Sequence, residues 1–225
     1  MKSLLIDSSR NNKSMVSYIK DDRLLFTSEV YVDKNLSSSL LPSVEKCLSV
    51  DNSDISLLDK IYVINGPGSF TGLRIGITIA KVIAWSLNKK IYTISSLFTL
   101  SSEKNMYDYN LSILYDKDDS AYFGLYNNKT TIFEVYSSFN DVLGLINKEK
   151  INTLLINTDD DNEYLDEFII NLKKNINTVS KNINPKIDIF NIIEKGNING
   201  KINPHDVNPV YLKQIEVEKW LLNMI

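Results

Sequence analysis

The residues with the strongest potential for chemistry are Asn65-Gly-Pro-Gly-Ser-Phe-Thr-Gly-Leu-Arg-Ile-Gly76, which follow directly on the apolar run Lys60-Ile-Tyr-Val-Ile64. Gly66, Pro67, Gly68, Ser69 and Thr71 form a loop that turns sharply after a strand and feeds a helix N-terminus. One chemistry open to such a loop is anion binding, with backbone N–H groups and the helix dipole cradling a phosphate. The segment lacks the G-x-x-x-x-G-K-[ST] arrangement, and the G-x-G-x-x-G fingerprint does not fit it.

The helix after the loop suggests a second use. Gly72, Gly76, Ala80 and Ala84 recur every four residues and make a face with almost no side-chain height, to which another backbone can come close. Leu73, Ile77 and Trp85 make a second face, and Ile75, Ile79, Val82 and Ile83 a third. A helix apolar nearly all round is covered nearly all round, by its own sheet on one side and by the first helix or a partner chain on the other. Phe70 is a candidate interface anchor as well as a candidate core residue. Arg74 is one of three arginines, with Arg10 and Arg23, in a chain that otherwise uses lysine. A bidentate contact to a carboxylate is a reason to keep guanidinium there.

The elements that position this segment follow from apolar runs and helical spacing. Leu4–Ile6, Met15–Ile19 and Leu24–Val30 read as a three-strand meander. A helix over Ser37–Leu48 carries Leu40, Leu41, Val44, Cys47 and Leu48 on one face. Lys60–Ile64 is a buried strand, Thr71–Leu87 a helix, and Ile91–Ile94 a closing strand, which is the order of a ribonuclease H-like domain. A weaker copy follows: strands at Leu111–Tyr115, Ala121–Tyr126 and Thr131–Tyr136, a helix at Phe139–Lys148, a strand at Thr153–Ile156 and a helix at Glu163–Lys174. The expected domains are residues 1–102 and 103–225. Residues 175–205 read as irregular connections around one short strand, Ile187–Phe190, and the tail as a helix over Gln214–Met224.

A net charge of -3 and a pI near 5.3 give no basic excess of the kind that direct nucleic-acid binding requires. Residues 1–103 carry 12 Lys and Arg against 10 Asp and Glu; residues 104–225 carry 13 against 18. The single cysteine, Cys47, cannot make an internal disulfide. The sequence offers no segment long and apolar enough to span a bilayer, and Asp7 interrupts what would be a signal peptide, so the expected location is cytoplasmic.

Taken together, the 65–76 segment closely resembles the signature of the bacterial TsaB (YeaZ) family of tRNA threonylcarbamoyladenosine biosynthesis proteins. Leu4-Leu-Ile-Asp-Ser-Ser9 resembles that family's opening strand, Leu40-Leu-Pro42 its first helix, Ile94-Ser-Ser-Leu97 the end of its first domain, and Asn208-Pro-Val-Tyr-Leu-Lys213 its C-terminal segment. Residues 127–205 match only in length and general order. The resemblance implies an α/β chain with the actin-like, sugar-kinase-like ATPase fold in two ribonuclease H-like halves. It implies a non-catalytic partner of the enzyme TsaD, which transfers a threonylcarbamoyl group to adenosine next to the anticodon of tRNAs reading ANN codons. The ATPase TsaE joins that complex, tRNA is met only through it, and the isolated chain is a possible homodimer. In the family the first and second helices contact TsaD, here Ser37–Leu48 and Thr71–Leu87, with Leu40, Leu41, Val44, Phe70, Gly72, Leu73, Arg74, Gly76, Ala80 and Ala84 as the expected contact residues. Many members carry a histidine at the start of the first helix, where this chain has Leu36.

No catalytic residue, metal or cofactor is expected. TsaD holds its metal through a His-x-x-x-His pair, and the aligned positions here are Ser96 and Leu100. His205 is the only histidine, and one histidine cannot supply a two-histidine zinc site. Asp7, with Asp116, Asp118 and Asp119 in the second half, keeps open an alternative reading as an actin-fold nucleotide-dependent kinase. Against it, the first turn Ser9-Arg-Asn-Asn-Lys13 lacks the glycine that lets such a hairpin wrap phosphates. A regulatory interaction module for another partner is a further alternative.

Overall fold

The computed structural model describes residues 1–225 except 12, 22, 32–35, 128–129, 196–198 and 214–225. The Leu4–Ile6 run extends to a strand β1 over Lys2–Asp7, which pairs antiparallel with β2 (Lys13–Lys20), itself antiparallel to β3 (Arg23–Tyr31). The chain then forms α1 (Leu36–Ser49), β4 (Lys60–Gly66), α2 (Phe70–Ser86), β5 (Ile91–Ser95) and a short α3 (Ser96–Leu100). Strand β4 lies parallel to β1, and β5 parallel to β4. Strands that alternate with helices pair in parallel because the crossover helix returns the chain to the same edge.

The second half repeats the plan. Strands β6 (Tyr109–Lys117), β7 (Ser120–Asn127) and β8 (Thr131–Ser138) form the meander, followed by α4 (Phe139–Ile146), β9 (Thr153–Thr158), α5 (Glu163–Leu172) and β10 (Thr178–Ile183). The described sheets run β11-β5-β4-β1-β2-β3 and β10-β9-β6-β7-β8, so the two share one five-strand order apart from the added β11. This is a mixed sheet flanked by helices in each half.

Each unit has its own core. In the first, Leu40, Val44, Cys47, Leu73, Ile77, Ala80 and Ala84 of α1 and α2 pack on Leu4, Ile6, Val16, Tyr18, Ile61 and Val63 of the sheet. The Cys47 thiol is buried there and its pKa is pushed up by that burial. In the second, α4 and α5 bring Phe139 and Phe168 onto Phe123, with ring centroids 5.1 Å and 6.1 Å away. The Phe123–Phe139 pair is edge-to-face, a geometry that stabilises beyond the area it buries.

Residues 1–102 pack with 188–210, and residues 103–187 with 211–213. Segment 188–210, placed by the sequence reading in the second domain, therefore belongs to the first unit. The expected strand Ile187–Phe190 is instead the start of a helix α6 (Ile189–Lys195). The Asp188 carboxylate accepts hydrogen bonds from the N–H groups of Phe190 and Asn191, which caps the helix, and Ile189 and Ile192, which a strand would put on opposite faces, are both buried as on one helix face. Nor is 175–205 irregular: it holds β10, α6 and β11 (Asn199–Ile202), the last antiparallel to β5. Strand β10 lacks clear apolar alternation because Lys181 interrupts Val179 and Ile183, which pack on the core, and the other face is polar and hydrogen-bonded. Ser180 Oγ accepts from Tyr107 OH at 2.6 Å, and Asn182 Nδ2 donates to Asn157 Oδ1 at 3.2 Å and Glu103 Oε2 at 3.1 Å. The expected terminal helix Gln214–Met224 lies outside the described residues.

Candidate functional site

The glycine segment is closed over by its own chain. Asp7 ends β1 with a carboxylate 3% exposed, whose Oδ1 accepts from Ser9 N at 2.9 Å and Ser9 Oγ at 2.7 Å. The turn so formed, Ser8-Ser9, lies against the loop and the first turns of α2. Ser69 N donates to Ser9 O at 2.7 Å, and Ser8 Oγ donates to Gly72 O at 2.8 Å. Gly68 has φ +149, and a Cβ there would lie 2.2 Å from Ser9 O. A Cβ on Gly72 would lie 2.1 Å from Ser8 O, and one on Gly76 2.1 Å from Ser8 Oγ. From the other side the Ser96 hydroxyl donates to Pro67 O.

The C-terminal landmark meets the same loop. Val210 N donates to Asn65 O at 2.7 Å, and a Cβ on Gly66 would lie 2.5 Å from Val210 O. The 65–76 and 208–210 segments are thus two halves of one seam, far apart in sequence. The phosphate-cradle reading fails on this geometry. Gly72 N takes the Ser69 side chain as its cap, and Leu73 N donates to Ser69 O, so the amides that would face an anion already serve the helix start.

The small stripe expected to meet a partner is internal packing. Gly72 and Gly76 are buried against Ser8 and Ile6, Ala80 and Ala84 lie in the core, and Leu73, Leu40 and Val44 are core residues at no more than 1% exposure. The close backbone approach that the stripe permits is made by Ser8. Of the expected contact residues, Leu41, Phe70 and Arg74 are exposed. The Arg74 guanidinium stacks 3.8 Å from the centroid of the Phe70 ring.

The outer face of α2 is defined by residues that the glycines overshadow in the sequence. Thr71, Arg74, Thr78, Val82 and Trp85 fall on one helical line and are all exposed, Val82 at 59% and Trp85 at 67%, with Ile75 and Ile79 half-buried beside them. Helices α1 and α2 pack together, and Leu41 on α1 is 47% exposed. The sequence reading put Trp85 with Leu73 and Ile77. The signal available was the polar series Thr71, Arg74 and Thr78, which marks the solvent side and leads to Val82 and Trp85 at helical spacing.

Of the acids weighed for nucleotide chemistry, Asp7 and Asp116 have side-chain partners within the fold. Asp116 Oδ2 accepts from Tyr136 OH at 2.8 Å and Lys213 Nζ at 2.5 Å. Burial, then the Asp116 carboxylate, push the Tyr136 phenol up, while the hydrogen bond to Asp116 raises Lys213. Asp118 sits in the β6–β7 turn at φ 51, its carbonyl taking Tyr115 OH, and the Asp119 carbonyl takes Phe139 N. Asp160 is raised by burial and Asp161 pairs with Lys181 at 2.6 Å. His205 is exposed in a 3-10 turn, Pro204–Asp206. Ser96 and Leu100 are buried in α3. Among the described residues no three His, Cys, Asp or Glu side chains gather as a metal site, and no helix is long and apolar enough to cross a membrane.

The Asp7 geometry gives a direct expectation. Asp7→Asn, which keeps an Oδ1 acceptor for Ser9, should fold like the wild type, whereas Asp7→Ala should lose about 1–3 kcal/mol in denaturant unfolding. Equal losses for both would show that the charge, not the acceptor, matters.

Residues 30–172 match the family model TsaD: tRNA N6-adenosine threonylcarbamoyltransferase. A tRNA threonylcarbamoyladenosine biosynthesis protein TsaB of Bacillus subtilis is 31% identical over 98% of this chain and 98% of its own length. The YeaZ structure from Pseudomonas aeruginosa superposes with a TM-score of 0.68 at 16% identity, covering 94% of this chain and 99% of that one. A ROK hexokinase from Thermus thermophilus gives 0.50 at 8% identity, over 80% and 93% of the two chains. Fold and motif together define a member of the actin-like, sugar-kinase-like α/β class in two ribonuclease H-like halves. Within that class the chain belongs to the TsaB (YeaZ) family.

Proposed function

We propose that this chain acts in the formation of N6-threonylcarbamoyladenosine in tRNA, as the non-catalytic partner that binds and activates TsaD. Its kinship with the Bacillus subtilis protein supports the pathway. The observation that carries the partner role is the outer face of α2, where Arg74, Val82 and Trp85 stand in solvent on one helical line, with Phe70 exposed at the helix start and Leu41 exposed on α1. Val82 and Trp85, exposed one turn apart on the same helix face, make an apolar patch of the kind that a partner covers. Ser96 and Leu100, buried and engaged in packing, stand where TsaD keeps its metal-binding histidines, which supports a pseudo-enzyme.

In this reading the exposed face replaces the small stripe as the direct contact, and TsaE joins the assembled pair. A homodimer of the isolated chain would use the same face, and tRNA is engaged only within the complex. The test is co-purification with TsaD of the same organism, followed by tRNA modification with and without this chain. Stable association and loss of modification on omission are expected. Modification at an undiminished level without the chain, or ATP turnover by the pure chain alone, would overturn the reading.

A further inference from the structure

The deepest contact on the inner side of α2 is made by one hydroxyl. Ser8 is 1% exposed; its Oγ donates to Gly72 O and occupies the space beside Gly76 where any Cβ would stand, at 2.1 Å. Gly72 lies two residues from Phe70 and two from Arg74, the stacked pair at the exposed start of the helix. A carbonyl in the first turn that accepts from outside the helix is tied to that outside group, and a side chain between two glycines fixes how close the helix can come. The turn that carries Ser8 is itself held by Asp7 and by Ser69 N.

We propose that Ser8 is a positioning residue for partner binding: lodged between Gly72 and Gly76, it sets the height and rotation of α2 and so the pose of Phe70 and Arg74. The proposal rests on the TsaD-binding reading above. It assigns the glycines at 72 and 76 a role in aim rather than in contact. Ser8 touches no partner and no substrate; it acts through the helix it holds.

The test is the affinity for TsaD of the full chain carrying Ser8→Ala, Phe70→Ala, or both, with Tyr18→Phe as control. Tyr18 OH bonds to Ser53 Oγ at 2.9 Å and Asp51 Oδ2 at 3.2 Å, so its loss is also a lost hydrogen bond inside the same unit. Ser8→Ala should weaken binding about tenfold, corresponding to about 1.4 kcal/mol. Tyr18→Phe should leave binding unchanged even where its melting temperature falls as far. In the Phe70→Ala background Ser8→Ala should cost measurably less, because one of the two groups it aims is gone. Gly76→Ala alone should bind worse than Ser8→Ala, and the pair Ser8→Ala with Gly76→Ala should recover, since the atom met by the new methyl is removed. The pair also serves should Ser8→Ala by itself fail to fold. Wild-type affinity in folded Ser8→Ala, or an undiminished Ser8→Ala penalty in the Phe70→Ala background, overturns the proposal. Absence of any TsaD binding by the wild type overturns instead the reading beneath it.

Discussion

Val82→Glu together with Trp85→Glu is expected to abolish association with TsaD while shifting the melting temperature by no more than about 2 °C. Both side chains are more than half exposed, so the substitutions exchange solvated apolar groups for solvated charges, and surface changes of this kind cost within about 0.5 kcal/mol. At an interface the same change is severe. Two carboxylates would have to be stripped of water with no partner built for them, which costs several kcal/mol each. Size-exclusion of the mixed proteins reads the outcome, with calorimetry as the folding control. A complex that survived both charges would move the contact off the outer face of α2.

The largest stability effect is expected at Gly72. Gly72→Ala puts a methyl 2.1 Å from the Ser8 carbonyl oxygen, a backbone atom that cannot swing aside, while Ser69 Cβ and Oγ stand 3.2 Å away on the other side. Helix or turn must move, and with it go the Ser8–Gly72 hydrogen bond and the packing of Leu73 at zero exposure. The cost should be about 3 kcal/mol or more. By intrinsic helix propensity the same change should help by about 1 kcal/mol. Chemical denaturation decides between the two, and a stabilised Gly72→Ala would mean that the seam is looser than described. Gly144, which has nothing within 4 Å of its would-be Cβ, is the control, since Gly144→Ala should be neutral or stabilising.

How much of this was legible varies with the kind of interaction. The strands of the first half could be read because Leu4-Leu-Ile6 and Ile61-Tyr-Val-Ile64 bury both faces and appear as unbroken apolar runs. Strand β10 could not, since only Val179 and Ile183 pack on the core, with Lys181 between them, while Ser180 and Asn182 bond to Tyr107 and Asn157. The stripe Gly72, Gly76, Ala80 and Ala84 was legible as a surface for close approach, but a residue pattern does not say whose backbone approaches. Here it is Ser8, sixty-four residues earlier, and nothing local to the helix points there. The exposed face was within reach through Thr71, Arg74 and Thr78. Glycine and alanine at fixed spacing make a stronger pattern than a valine and a tryptophan among threonines.

The return of residues 188–210 to the first unit bears on how the protein is made. Val207 fills its core, Lys81 Nζ donates to the carbonyls of His205 and Val207, and Val210 closes on Asn65. During synthesis residues 1–102 therefore leave the ribosome without the pieces that complete them. Residues 103–187, which carry the core of the second unit, emerge before the 188–210 segment that completes the first. A fragment cut at residue 102 would leave the edge of β5 unpaired and the loop at Gly66 uncovered, with a bare strand edge that invites aggregation. Helix α2, although encoded early, gains its last neighbours late.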